Sequence, residues 1–183
     1  MSPKKTKPRV QEEFLTIEVE DFSASVNASI NPQAREPRPE IDKLRIFNFG
    51  STIEIKGTCP SPDRRTIERY QITIYAPLTD ELEANARLRD VYARDERGSI
   101  KYHKVHGLLL PAYVIPPGLG LLNRRRGPVT WDGCIWVPEQ SITQMLVLLS
   151  KVQPLYLHIH VRRLDRTCWI DGLTLQTTDP SEE

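Results

Sequence analysis

An alternation of apolar and polar residues with a period of two recurs along this chain of 183 residues and constrains its fold most strongly. The pattern occupies residues 15–19, 52–56, 70–76 and 155–161. Successive side chains of a β-strand point to opposite faces, so each segment predicts a strand with one buried face. Strands and helices do not alternate regularly along the chain, which disfavours a parallel nucleotide-binding sheet.

The proline content also favours strands and loops over long helices. The chain has 15 prolines, and proline interrupts helices and central strands. Helical character is confined to Pro138–Lys151, which has apolar residues at helical spacing, and to Thr79–Leu88, which begins with a capping threonine. The sequence therefore predicts a mainly β fold, either an antiparallel β-sandwich or an open barrel, with about ten short strands and one or two helices.

Three β-hairpins are predicted between strand segments. The first turns at Phe49-Gly50, the second at Asp95–Gly98 and the third near Leu164–Arg166. These positions hold the Gly and Asp residues that tight turns require.

The domain organisation follows from composition. Residues 1–12 and the acidic residues 178–183 predict disordered tails, and residues 13–177 predict a single β-rich domain with a proline-rich loop at 31–40. Three cysteines without paired spacing argue against a disulfide framework and favour a reducing compartment. No secretory signal and no apolar run of spanning length are present. We therefore expect a cytoplasmic protein that does not associate with membranes.

Sequence motifs for catalysis or cofactor binding are weak. Gly118 and Gly120 begin like a phosphate-binding turn, but Asn123 stands where a third glycine is required. The chain has no Gly-x-Ser-x-Gly motif, and its cysteines lack a local signature of activation. We expect no cofactor, and the sequence favours a non-enzymatic protein over an enzyme.

A run of arginines provides the main candidate binding site. Arg124, Arg125 and Arg126 follow Leu121 and Leu122 in a segment that reads as a long loop. Adjacent arginines suit phosphates or an acidic protein surface, and leucines beside them are typical of a binding edge. These five residues are the predicted partner-binding or phosphate-binding site.

A second candidate site consists of two histidines. His158 and His160 lie on the same face of a predicted strand, and Asp165 follows five residues later. Imidazole and carboxylate groups bind transition metals, so these three residues form a candidate metal site. The alternative is two ordinary surface histidines of a strand.

The leading hypothesis is a non-enzymatic intracellular interaction or adaptor protein that binds another protein through loops and a sheet edge. One alternative is a nucleic-acid-binding protein that uses the Arg124–Arg126 loop. Another is a metal-dependent enzyme that uses His158 and His160.

Overall fold

The computed structural model describes residues 10–30, 47–60, 67–77, 90–125, 130–151, 154–164 and 167–179. These residues form nine strands and one helix. The strands are β1 (Gln11–Ile30), β2 (Phe47–Pro60), β3 (Ile67–Pro77), β4 (Tyr102–Val105), β5 (Leu108–Pro111), β6 (Gly120–Arg124), β7 (Thr130–Trp136), β8 (Tyr156–Leu164) and β9 (Thr167–Gln176). The helix, α1 (Glu139–Lys151), lies between β7 and β8.

Seven strands close into a barrel in the order β1-β2-β3-β7-β6-β9-β8, and β8 pairs back onto β1. The predicted mainly β fold is confirmed, and of the two predicted forms the structure favours the barrel over the sandwich, although the barrel is closed and not open. All neighbouring strands are antiparallel except β3 and β7, which run parallel. A parallel pair needs a long connection, and residues 78–129 supply it.

Alternate residues of each barrel strand point inward and form the core. Burying one such aliphatic side chain contributes about 1.5–3 kcal/mol relative to leaving it exposed, so the alternation specifies which face of each strand turns inward. The core residues with no exposure are Ile17, Ile53, Ile55, Ile72, Ile74, Ile135, Leu157, Ile159, Val161 and Ile170.

Helix α1 covers one end of the barrel. Glu139 in its first turn and Lys151 in its last turn suit the helix dipole. The helix predicted at Pro138–Lys151 is confirmed, whereas the helix predicted at Thr79–Leu88 lies outside the described residues. The side chains that are buried or packed on the barrel core are Ile142, Met145, Leu146 and Leu149. Because β7 runs towards α1 and β8 runs away from it, the start of β7 and the end of β8 lie at the opposite end of the barrel.

Two strands are longer than the sequence indicated. β1 has 20 residues and begins at Gln11, inside the segment predicted as a tail. β2 continues through Gly50, so the turn predicted at Phe49-Gly50 is wrong. Gly50 pairs with Asn27 on one side and with Pro77 on the other, and these neighbours keep it in an extended strand.

The other two predicted hairpins are confirmed. The Asp95 amide donates to the Ser99 carbonyl at 2.8 Å. Asp95 Oδ1 accepts hydrogen bonds from the amides of Arg97 and Ser99, each at 2.9 Å, so the aspartate stabilises the turn as expected. β8 and β9 form the third hairpin, and residues 165–166 at its turn lie outside the described residues.

Candidate functional site

The two leucines of the predicted arginine site belong to a strand of the barrel. β6 pairs with β7 on one side and with β9 on the other, so Leu121 and Leu122 lie in the sheet and not in a loop. Leu122 is 2% exposed and forms part of the core. The prediction that Leu122 belongs to an exposed binding edge is therefore wrong. Leu121 is half-buried on the outer face of the barrel.

The arginines of the same site have different surroundings. Arg125 forms an ion pair with Asp132 of β7, and the hydrogen bond to this carboxylate raises the pKa of Arg125. Arg124 is exposed, and its Cζ lies 5.9 Å from the centroid of the Trp131 ring. No carboxylate among the described residues pairs with Arg124. Arg126 lies outside the described residues, so the structure brings Arg124 and Arg125 to the end of β6 without showing a three-arginine patch.

The predicted histidine pair lies on the outer face of β8 and is covered by Phe14 of β1. The Phe14 ring stacks on His158 with centroids 5.3 Å apart and on His160 with centroids 4.6 Å apart. Thr16 Oγ1 lies 3.1 Å from His158 Nδ1. His160 Nε2 is buried and has no hydrogen-bond partner among the described residues, and Glu12 Oε2 lies 3.7 Å away, which is too long for a hydrogen bond. The two imidazoles therefore pack around an aromatic ring.

The third predicted metal ligand, Asp165, lies outside the described residues. Among the residues that the structure describes, no group of three or more His, Cys, Asp or Glu side chains is placed to hold a metal ion. The pair of imidazoles is thus the only part of the predicted metal site that can be located in the fold.

A polar cluster lies at the end of the barrel away from α1. We call it the mouth cluster: Glu13, Glu68, Tyr70, Trp131 and Arg163. Glu68 Oε2 accepts a hydrogen bond from the Tyr70 hydroxyl at 2.8 Å and one from Trp131 Nε1 at 2.9 Å. The Arg163 guanidinium pairs with Glu13 and lies 5.4 Å from the centroid of the Trp131 ring. Residues from β1, β3, β7 and β8 therefore join in one network across the mouth.

The electrostatics of the mouth cluster indicate a stabilising role. Burial, together with the hydrogen bond to Glu68, raises the pKa of Tyr70. Burial lowers the pKa of Arg163, but the hydrogen bond and charge of Glu13 outweigh this effect and the net shift is upward. Each shift favours the protonated form that makes the observed hydrogen bonds. Tyr70 and Arg163 therefore act as hydrogen-bond donors within the cluster.

Two of the three cysteines also lack the features of a nucleophile. Cys59 and Cys168 are buried, and burial is the main cause that raises the pKa of each thiol. A raised thiol pKa lowers the fraction of reactive thiolate. Cys134 is half-buried on the outer face of β7.

A cleft of about 460 Å³ lies beside β8 and β9. Its floor contains the ion pair between Arg162 and Asp171, with an Nε–Oδ2 distance of 2.6 Å, and Arg162 Nη2 also donates to the Pro117 carbonyl at 2.7 Å. Asp171 accepts two hydrogen bonds from Arg162, one from Nε and one from Nη2. Because the same guanidinium donates to the Pro117 carbonyl, the ion pair fixes the chain that leads into β6. The walls are Ile115, Pro116, Pro117, Gly118 and Leu119.

The second half of β1 carries a sheet edge that no described strand covers. β1 pairs with β8 only over Gln11–Glu18, and its pairing with β2 continues to Ile30. Beyond Val19, no strand among the described residues pairs with the outer edge of β1. Residues 23–29 are all exposed, and the side chain of Val26 is 78% exposed. We call the segment Ser23–Ile30 the β1 edge.

A projecting hairpin forms the second uncovered element. We call Tyr102–Pro111 the hairpin arm; it contains β4, β5 and a turn at His106-Gly107 in which both residues have positive φ, as a two-residue hairpin turn requires. At its base, the amides of Ala93, Ala112 and Lys101 donate to the carbonyls of Ala112, Lys101 and Ala93 respectively, each at 2.8 Å. Seven of the eight residues in β4 and β5 are exposed, and Pro111 is half-buried.

Comparisons with models of protein families, with curated proteins and with solved structures found no match. In the part of the chain that the structure describes, no helix is long and apolar enough to cross a membrane. The β1 edge and the hairpin arm, which no described strand covers, are therefore the candidate functional sites. Sequence reasoning missed both as sites, although two signals were present: the alternation of Ser or Asn with apolar residues in 22–29 and the apolar run Leu108–Leu110.

Proposed function

We propose that this chain is a non-enzymatic adaptor that binds another protein by accepting one strand of that protein on the β1 edge. The observation that carries the proposal is a run of eight residues, Ser23–Ile30, that pairs with β2 on one side and with no described strand on the other. An open strand edge presents a row of unpaired N–H and C=O groups, and an extended segment of a partner can pair with them.

The composition of the β1 edge supports this role. Natural proteins protect open edges with charged residues, proline or glycine bulges. The sequence SASVNASI contains none of these. The bulge between Val19 and Asp21 lies before the edge begins and does not interrupt it. An unprotected edge promotes aggregation unless a partner covers it. The absence of protective residues in this segment therefore favours a binding role.

The side chains of the edge suggest what kind of strand it accepts. Residues 22, 24, 26 and 28 lie on the same face as the core residues Ile53 and Ile55, because they occupy matching positions in the ladder. Ala24, Val26 and Ala28 are small or medium in size and exposed. They leave room for larger apolar side chains at every second position of an incoming strand. The opposite face carries Ser and Asn and remains in contact with water.

Panning of the full chain against displayed random peptides tests the proposal. We expect enriched peptides to alternate apolar and polar residues and to lack a central proline. On binding, the amides of Ser23–Ile30 should gain protection from hydrogen exchange. Val26→Lys places a charge within the edge at a highly exposed site and should abolish binding without changing the melting temperature. Ile67→Lys, at a residue 70% exposed in β3, is the matched control.

Two results would contradict strand addition. One is the absence of any enriched peptide. The other is a peptide that binds wild type and Val26→Lys equally and leaves the Ser23–Ile30 amides unprotected.

A second candidate function is binding of single-stranded nucleic acid at the barrel mouth. Arg124 and Arg163 both lie over the Trp131 ring, and an aromatic ring with cationic neighbours can stack on a base. Binding of an oligonucleotide should then weaken steeply with salt and be lost in Arg124→Gln. Equal affinity at low and high salt would remove this candidate. Glu13 and Glu68 in the same cluster make it the weaker alternative, since carboxylates repel phosphates.

A further inference from the structure

The hairpin arm exposes apolar residues on both of its faces. Cross-strand pairs share a face, so Leu109 lies on one face with Lys104, while Leu108 and Leu110 lie on the other with Val105 and His103. Leu108 is 66% exposed and Leu109 is 71% exposed. A hairpin that docks on one side of a partner needs one apolar face. Apolar residues on both faces indicate that the arm enters an apolar medium from its tip.

The exposed apolar residues of the described chain are concentrated around this arm. Nine of the fifteen large apolar residues that are exposed lie between Tyr92 and Ile115. No described strand of the barrel pairs with the arm, and a two-stranded hairpin has few contacts of its own to stabilise it in water. Exposed apolar patches of this kind mark surfaces for protein partners or membranes.

The charge of the surrounding chain indicates which of these surfaces it contacts. Between Glu96 and Pro116, in the segment that holds the arm, the sequence has no acidic residue, but it has three of the chain's 25 Lys and Arg residues and two of its four His. All 24 acidic residues and the other 22 basic residues lie elsewhere. Although the whole chain has a net charge near zero, this segment is cationic and the rest of the chain is anionic. The segment is therefore complementary to a polyanionic surface.

Three exposed tyrosines lie in or near the arm. Tyr92 and Tyr113 stack with ring centroids 5.2 Å apart, close to the base of the arm, and Tyr102 begins β4. All three are exposed. Tyrosine is favoured at the boundary between acyl chains and headgroups, because its ring is apolar and its hydroxyl remains hydrated. Lys101 and Lys104 can place their ammonium groups at headgroup level while their methylene chains follow the leucines.

We propose that the hairpin arm docks this protein on the surface of a lipid bilayer that carries anionic headgroups. Leu108, Leu109 and Leu110 enter the boundary between headgroups and acyl chains, and Lys101 and Lys104 contact the anionic groups. The sequence predicted no membrane association because no apolar run can span a bilayer, but a peripheral hairpin needs no such run. This surface is separate from the β1 edge and does not depend on the strand-addition proposal.

Flotation of the full chain with vesicles tests the inference. Vesicles of phosphatidylcholine that also contain phosphatidylserine should carry the protein, and vesicles of phosphatidylcholine alone should carry much less. Added salt should weaken the binding, because it screens the lysine contacts. Leu109→Ser should lower the partition coefficient about tenfold. Lys101→Gln and Lys104→Gln should each lower it about fivefold.

The controls keep folding separate from binding. Ile67→Ser removes an apolar residue of equal exposure outside the arm, and Lys151→Gln removes an exposed charge from α1; both should bind vesicles as wild type does. Val26→Lys should also retain vesicle binding, which distinguishes this proposal from strand addition. If wild type fails to float with vesicles containing phosphatidylserine, or floats equally after Leu109→Ser, membrane docking is refuted. A protein partner would then be the remaining explanation for the arm.

Discussion

Substitution of Gly57 by alanine gives the sharpest prediction from the barrel geometry. Gly57 lies on the inward face of β2, opposite Val19, where the bulge of β1 begins. A Cβ atom at this position would lie 2.1 Å from the Glu18 carbonyl oxygen and 2.8 Å from Ile17 Cγ2. The first contact is with backbone and cannot be relieved by a rotamer change. We expect a cost of about 3 kcal/mol, the upper part of the usual range for overpacking.

Gly50→Ala in the same strand is the matched control. No atom lies within 4 Å of a Cβ at Gly50, so alanine there should be neutral or stabilising by up to about 1 kcal/mol. Thermal unfolding followed by circular dichroism should show a melting temperature lower by about 10 °C for Gly57→Ala, since 1 kcal/mol corresponds to about 2–4 °C in a domain of this size. Equal melting temperatures for the two variants would refute the proposed close approach of β1 and β2.

Three further predictions follow from burial and pKa. Leu122→Ala should lower the free energy of unfolding by about 2–5 kcal/mol in urea titrations, whereas Leu121→Ala on the outer face should cost clearly less; equal losses would contradict the inward position of Leu122. Burial and the Glu68 hydrogen bond raise the pKa of Tyr70, so the folded protein retains a proton that the unfolded chain releases. The free energy of unfolding should therefore fall as the pH rises above about 10, and Tyr70→Phe should reduce this dependence in urea titrations at a series of pH values. Native alkylation followed by peptide mass spectrometry should modify Cys134 before the buried Cys59 and Cys168, and equal rates at all three would contradict their burial.

The local elements of the fold could be predicted because their signals are local. The alternation in residues 155–161 predicted β8 and its inward residues, and the apolar spacing after Pro138 predicted α1. Asp95 predicted its turn because an aspartate side chain accepts hydrogen bonds from amides two and four residues later. None of these inferences needed to know which strands are neighbours.

Closure of the barrel and the distribution of the arginine site could not be predicted, because both depend on pairing between distant residues. The three arginines that follow Leu122 predict an exposed leucine. In the structure, β6 pairs with β7 on one side and with β9 on the other, and this pairing turns Leu122 inward. Gly50 reads as a turn residue, but ladders on both sides keep it extended. The mouth cluster joins Glu13 to Arg163 across 150 positions of sequence, and no local pattern contains that contact.

The strand order of the barrel separates the two proposed surfaces. The β1 edge belongs to β1, and the hairpin arm lies in the chain that enters β6. Around the barrel, β8 and β9 separate β1 from β6 on one side, and β2, β3 and β7 separate them on the other. The two elements are therefore attached to strands that are not neighbours in the barrel, and we expect a strand bound at one not to occupy the space needed by the other. An adaptor requires two surfaces that can be occupied at the same time. The protein with a peptide bound at the β1 edge should therefore still float with vesicles that contain phosphatidylserine. Competition between peptide and vesicles for the protein would contradict the independence of the two surfaces.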